Sequence, residues 1–116
     1  MKILIVDDDQ NILRLYKEEL EEDGFTIVTA SNGQEAMEQF EKENPDLVTL
    51  DILLPDVDGI KLLRQMKEKR PRMPVIMSTA YDYRDDFAVW ASEAYIVKSA
   101  DLTELKATIR KLTEKE

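Results

Sequence analysis

The chain has 116 residues, a formal net charge of −9, no cysteine and no histidine. This length predicts one domain, residues 1–116, that buries a core without disulfides. The missing residue types exclude disulfides, thiolate and histidine metal sites, cysteine nucleophiles and Ser-His-Asp catalysis. The negative charge argues against direct binding to nucleic acid. Met1-Lys2 is followed by only four apolar residues, too few for a signal peptide or a membrane span. We therefore expect a cytoplasmic, stand-alone domain without membrane insertion.

Apolar runs and helical patterns alternate from the start of the chain. Residues 3–6 predict a buried strand, which Asp7-Asp8-Asp9 ends abruptly. A helix follows and ends at Gly24, which suits a left-handed C-cap. Residues 25–30 alternate in polarity and predict a strand nearer the edge of a sheet. The apolar stripe of the first helix consists of Ile12, Leu13, Tyr16 and Leu20.

The second helix leads to the most apolar strand. Asn32 and Glu35 stand at the N-cap and capping-box positions of that helix, and its buried side is Ala36, Met37 and Phe40. Residues 47–50 predict a strand buried on both faces. Asp51 follows at the strand's carboxyl end, where open parallel sheets place their ligand sites. A charge buried there is costly unless something pairs with it.

The second half of the chain continues the alternation. Residues 75–79 predict a fourth strand that ends in hydroxyls, and residues 94–97 a fifth strand that ends at Lys98. Only a short helix fits residues 87–91, whereas a longer last helix starts near Asp101. The apolar stripe of the third helix consists of Ile60, Leu62, Leu63 and Met66. That of the last helix consists of Leu102, Leu105, Ile109 and Leu112. Short connections and apolar strands predict a parallel sheet with helices on both faces, without giving the strand order.

Chemically matched groups follow four of the five predicted strands. The carboxyl ends of parallel strands lie together, so we expect a cluster of Asp7, Asp8, Asp51, Ser78 or Thr79, and Lys98. Three carboxylates repel one another, and a hard divalent cation such as Mg²⁺ relieves the repulsion. A carboxylate nucleophile, a metal, a hydroxyl and a lysine suit phosphoryl transfer. Asp51 would attack phosphorus and become an acyl phosphate.

Each piece also has a plainer interpretation. Three aspartates after a strand are often N-cap chemistry, and one Asp before a proline loop is usually turn chemistry. Thr79 could cap a strand end, and Lys98 could be a solvated charge. The coincidence of these groups at predicted strand ends is what favours a site.

Five segments resemble the receiver domain of two-component response regulators. They are Ile3-Leu4-Ile5-Val6-Asp7-Asp8, Pro45-Asp46-Leu47-Val48-Thr49-Leu50-Asp51, Pro55-Asp56-Val57-Asp58-Gly59, Pro74-Val75-Ile76-Met77-Ser78-Thr79-Ala80 and Tyr95-Ile96-Val97-Lys98. The resemblance covers essentially the whole chain. It implies an α/β, flavodoxin-like (βα)5 fold with a five-stranded parallel sheet of order 2-1-3-4-5 and helices on both faces.

The resemblance also implies a phosphoacceptor and a metal. Asp51 would take a phosphoryl group from a sensor histidine kinase or a histidine phosphotransfer protein. Mg²⁺ would be held by Asp8 and Asp51 directly, by Asp7 through water, and by the backbone carbonyl of Leu53. The chain's chemistry would be limited to its own phosphorylation and dephosphorylation, so it would not be a conventional enzyme.

The remaining residues of the family pattern belong to its switch. Thr79 would donate its hydroxyl to the phosphoryl group, Lys98 would form an ion pair with it, and Tyr95 would turn inward as Thr79 moves. The output would be an altered contact with a downstream target protein. Ser99 replaces the proline that usually follows the lysine, and the span from Thr79 to Lys98 is short. These departures predict a short or distorted fourth helix and leave its output surface open.

Four classes of function remain from the sequence. The first is a phosphorylated receiver, and its two forms, a phosphorelay intermediate and a direct effector, fit equally well. A degenerate receiver is opposed by the intact site residues but kept open by Ser99. An aspartyl phosphatase would need a second Asp where Leu53 stands, and a flavodoxin-like cofactor site would need a phosphate-binding loop where Asp7-Asp8-Asp9 stands.

Overall fold

The computed structural model describes residues 1–79, 94–97 and 102–113. These residues form five strands and four helices, which alternate along the chain as far as the fourth strand. In chain order the elements are β1 (Lys2–Val6), α1 (Gln10–Glu22), β2 (Thr26–Ala30), α2 (Gly33–Glu43), β3 (Leu47–Leu50), α3 (Gly59–Lys69), β4 (Val75–Thr79), β5 (Ala94–Val97) and α4 (Thr103–Thr113). The prediction of a short helix over residues 87–91 lies outside the described residues.

The strands form one parallel sheet of order β2-β1-β3-β4-β5. This is the order that the resemblance implied, and it places β2 at an edge, as its alternating polarity predicted. β1 and β3 are neighbours near the centre, with Ile3 paired to Leu47 and Val6 to Leu50. The chain therefore brings the ends of its two most buried strands side by side.

Helices cover both faces of the sheet, which confirms the predicted layers. Alternate residues of β1 contribute to two hydrophobic clusters, one against α2 and α3 and the other against α1 and α4. All four residues of β3 are buried. The predicted stripes supply the helix side of these clusters, and burying each large apolar side chain contributes about 1.5–3 kcal/mol.

Side-chain caps fix where three helices begin. Asp9, Asn32 and Asp58 are the N-caps of α1, α2 and α3, and each accepts a backbone N–H from the first turn. Glu35 reaches back as predicted, but its carboxylate accepts the N–H of Ser31 at 2.7 Å rather than that of the N-cap. Helix α1 ends at Glu22 with Asp23 as its C-cap, and the φ of 96° at the next residue, Gly24, confirms the predicted left-handed position.

Candidate metal centre

The backbone of β1 and β3 fixes the positions of Asp7 and Asp51. The backbone N–H of Asp51 donates to the carbonyl of Val6 at 3.1 Å, and that of Asp7 donates to the carbonyl of Ala30 at 3.0 Å. The sheet's hydrogen bonding thus extends one residue beyond each strand. Both aspartates leave the sheet at the same end, which we call its carboxyl end.

Three carboxylates converge at the carboxyl end of the sheet. One oxygen from each of Asp7, Asp8 and Asp51 lies within 4.8 Å of the other two. Asp7 and Asp51 are 3% and 4% exposed, whereas Asp8 faces solvent. The structure therefore brings together the three carboxylates that the sequence predicted, two of them in a buried setting where like charges repel strongly.

Backbone N–H groups orient the two buried carboxylates. Asp7 Oδ1 accepts the N–H of Asp9 at 2.9 Å, and Asp51 Oδ1 accepts the N–H of Leu53 at 3.3 Å. These hydrogen bonds hold the two side chains in place. The donor set is oxygen only and open to solvent at Asp8, so it suits a hard divalent cation that keeps several waters, as Mg²⁺ does.

Leu53 lies in the loop that follows the cluster. This residue is 47% exposed, and its backbone forms an isolated antiparallel bridge with Asp58. The structure thus places Leu53 beside Asp51, while the role of its carbonyl as a metal ligand stays a prediction.

Of the hydroxyls at the end of β4, Ser78 is described. It is buried, and its hydroxyl lies 3.5 Å from the hydroxyl of Tyr16, on the face of the sheet that α1 covers. The backbone of Thr79 pairs with Val97 at the carboxyl ends of β4 and β5. The side chains of Thr79 and Tyr95, and all of Lys98, lie outside the described residues.

Sequence reasoning missed the close approach of α3 to the cluster. Gly59 donates its N–H to the carbonyl of Ile52 at 2.8 Å, and a Cβ on Gly59 would lie 2.1 Å from the carbonyl oxygen of Asp51. Only glycine allows the helix to start this near to the end of β3. A glycine at a predicted helix start, soon after a candidate site residue, is the signal that could have indicated it.

Sequence reasoning also missed the role of Asp56. Its carboxylate accepts the backbone N–H groups of Gly33 and Gln34, at 2.7 and 3.0 Å. These hydrogen bonds hold the pKa of Asp56 below its usual value. No local pattern predicts this contact, because it joins positions 23 residues apart in sequence.

Comparison with known proteins gives the family. The family model for the response regulator receiver domain matches residues 3–110 of this chain. The chain belongs to this family. It is similar to the response regulator TrrA of Thermotoga maritima in complex with Mg²⁺-BeF, with 45% identity, a TM-score of 0.92, and coverage of 96% of this chain and 97% of TrrA. A second structure, of TrrA in complex with the histidine kinase ThkA, matches with 44% identity, a TM-score of 0.91 and 97% coverage of each chain.

The curated relatives of this receiver are longer proteins. The alkaline phosphatase synthesis transcriptional regulatory protein PhoP of Bacillus subtilis is 36% identical over 112 residues, which are 94% of this chain and 47% of PhoP. The transcriptional regulatory protein TrcR of Mycobacterium tuberculosis is 36% identical over 97% of this chain and 45% of its own length. The chain thus spans about half the length of these relatives. Among its described helices, none has the length and apolar character needed to cross a membrane.

Proposed function

We propose that this receiver accepts a phosphoryl group on Asp51, with Mg²⁺ held by Asp7, Asp8 and Asp51, and thereby changes its contacts with a downstream protein. The observation that carries the proposal is the convergence of three carboxylate oxygens within 4.8 Å at the end of the central strand β3. The donor would be a sensor histidine kinase or a histidine phosphotransfer protein. The similarity to TrrA, whose structures contain Mg²⁺-BeF in one case and ThkA in the other, supports both the metal and the donor.

Asp51 and Leu53 each have a defined role in the transfer of the phosphoryl group from phosphohistidine. An Asp51 oxygen forms a bond to phosphorus while the phosphorus–nitrogen bond of the phosphohistidine breaks and its electron pair returns to the imidazole. The N–H of Leu53 holds the Asp51 carboxylate in one orientation before the attack, which lowers the entropic cost of the step. The bound Mg²⁺ supplies positive charge to the carboxylates and to the phosphoryl oxygens.

Four further roles belong to the same proposal. The carbonyl of Leu53 completes the metal ligands, Thr79 donates its hydroxyl to the phosphoryl group, Lys98 pairs with it, and Tyr95 follows Thr79 inward. The contact of Ser78 with Tyr16 supports Thr79 as the hydroxyl donor, because it occupies the alternative hydroxyl on the α1 side. We further propose a single (βα)5 domain over residues 1–116, located in the cytoplasm and limited to its own phosphorylation and dephosphorylation.

Intact-protein mass spectrometry tests the proposal. Incubation with acetyl phosphate should add one phosphoryl group to the wild type in Mg²⁺, and none in excess chelator. Asp51→Asn should take no phosphoryl group, whereas Asp46→Asn, at the opposite end of β3, should behave as the wild type. A wild type that takes no phosphoryl group and does not bind Mg²⁺-BeF would refute the proposal and favour a degenerate receiver.

A second assay distinguishes a phosphorelay intermediate from a direct effector. Mixing the phosphorylated protein with a histidine phosphotransfer protein shows whether the phosphoryl group moves onward, as in a relay. Steady turnover of a small phosphate ester would instead favour a phosphatase, which the exposed leucine at position 53 opposes because it cannot transfer a proton.

A further inference from the structure

The loop between β3 and α3 is tied to the start of α2 by one carboxylate. Asp56 accepts the N–H of Gly33 at 2.7 Å and that of Gln34 at 3.0 Å, while Asn32 accepts the N–H of Glu35 at 2.8 Å. The first three backbone N–H groups of α2 therefore all have hydrogen-bond acceptors, and for two of them the acceptor lies in a loop far away in sequence. An anion at a helix N-terminus also interacts favourably with the helix dipole.

The same junction is closely packed. A Cβ on Gly33 would lie 2.1 Å from Cγ1 of Val57 and 3.2 Å from the Asp56 carboxylate. The absence of a side chain at Gly33 thus lets the loop lie directly on α2. Val57 also packs against the hydrophobic cluster on that face of the sheet.

The other side of the loop is tied to the metal centre. Leu53 bridges to Asp58, and Gly59 donates its N–H to the carbonyl of Ile52. The backbone from Asp51 to Gly59 is thereby closed on itself, and Asp56 joins this closed loop to α2. Removing the Asp56 carboxylate would remove the two hydrogen bonds that tie this loop to the start of α2.

We propose that Asp56 is a positioning residue for the metal centre: its carboxylate, held by the start of α2, fixes the loop that carries Leu53. The inference rests on the proposed metal site. It predicts that contacts at α2 set the affinity for Mg²⁺, although no residue of α2 belongs to the carboxylate cluster. Partners beyond the ligands typically change metal affinity by about 10–100-fold.

Mg²⁺ titration by calorimetry, followed by acetyl phosphate labelling over a range of Mg²⁺ concentrations, tests the inference. Asp56→Ala should raise the Mg²⁺ dissociation constant about tenfold, the lower end of that range. The labelling rate at saturating Mg²⁺ should stay within about twofold of the wild type, because the cation restores the loop. Asp46→Ala is the matched control, since Asp46 is also exposed and accepts a backbone N–H, from Lys2 at 2.8 Å, at the other end of β3.

Two further variants separate position from charge. Gly33→Ala changes no charge but forces Val57 away, so it should weaken Mg²⁺ binding in the same direction. Asp56→Asn keeps an acceptor oxygen and loses the charge, so it should fall between the wild type and Asp56→Ala. Weaker binding in both Asp56 variants that disappears in high salt, with normal binding in Gly33→Ala, would assign the effect to charge and overturn the inference.

The remaining outcomes are also decisive. Lower melting temperatures with an unchanged Mg²⁺ dissociation constant would show a purely structural role for Asp56 and overturn the inference, while leaving the proposed function intact. A wild type that binds no Mg²⁺ would overturn both.

Discussion

Gly59→Ala tests whether the start of α3 determines the position of Asp51. The added Cβ would lie 2.1 Å from the Asp51 carbonyl oxygen, 2.7 Å from Cα of Ile52 and 2.9 Å from the Asp51 carbonyl carbon. All three atoms are backbone, so no side chain can turn away. Real Cβ contacts begin at about 3.0 Å, and α3 and the end of β3 must therefore separate by about 0.9 Å.

Two opposing terms set the effect on stability. Alanine is a better helix former than glycine by at most about 1 kcal/mol, which would stabilise the variant. Forcing extra volume into a packed site costs about 1–3 kcal/mol, and the contact with three backbone atoms favours the upper end. We expect a net loss of about 1–2 kcal/mol in the free energy of unfolding, measured by urea melts.

The effect on phosphorylation should be larger. A displacement of about 1 Å at a reacting group costs roughly 100-fold in rate, so labelling by acetyl phosphate at saturating Mg²⁺ should slow by that order. Gly24→Ala is the control: its left-handed φ of 96° costs about 1–2 kcal/mol, but nothing lies within 4 Å of the new Cβ. Its labelling rate should equal that of the wild type.

Two results would refute this reasoning. A Gly59→Ala protein at least as stable as the wild type would show that the close approach does not exist. A destabilised protein with a normal labelling rate would show that α3 moves and Asp51 does not.

Three other predictions concern charge and contacts. Asp51→Asn should raise the free energy of unfolding of the metal-free protein by roughly 1–3 kcal/mol, because three carboxylate oxygens within 4.8 Å repel one another. A urea melt in chelator that matches the wild type would contradict this prediction. Arg70→Lys should lower the free energy of unfolding by about 1–2 kcal/mol and leave Mg²⁺ binding unchanged. The Arg70 guanidinium donates to the Phe40 carbonyl at 2.6 Å and stacks 4.1 Å from the centroid of the Phe40 ring, and lysine cannot make both contacts. Equal melting temperatures of the variant and the wild type would argue against this contact. Lys106→Met should be less stable at neutral pH, because hydrogen bonding to Glu19 raises the pKa of Lys106 above its usual value. The raised pKa means that this stabilisation is present below the usual lysine pKa and disappears as the pH rises through the raised value, so the difference between the two melting temperatures should shrink there.

Asp7, Asp8 and Asp51 could be predicted because they follow apolar runs that are typical of the buried strands of a parallel sheet. In such a sheet every strand end lies on the same side, so position in sequence gives approximate position in space. The order of the strands came from the family resemblance, since hydrophobic periodicity alone does not determine which strands are neighbours. The burial of β3 on both faces was predictable from its uninterrupted apolar sequence.

The contacts around the loop could not be predicted in the same way. The hydrogen bonds of Asp56 to Gly33 depend on the angle at which α2 approaches the sheet, which no local pattern encodes. The choice between Ser78 and Thr79 depends on which face each residue of β4 meets, and the structure places Ser78 against Tyr16. The roles of Thr79, Tyr95 and Lys98 remain predictions.

The three carboxylates have opposite effects on the stability of the metal-free protein and on its affinity for the metal. Asp7 and Asp51 are buried at the ends of β1 and β3, and we expect the repulsion between their like charges to raise the free energy of the folded, metal-free protein. The two apolar clusters around these central strands offset that repulsion. A bound cation removes it, so part of the binding energy comes from relief of a strain that the core maintains. This argument requires Asp51→Asn to gain stability without metal and to lose affinity for Mg²⁺, because the same charge is responsible for both.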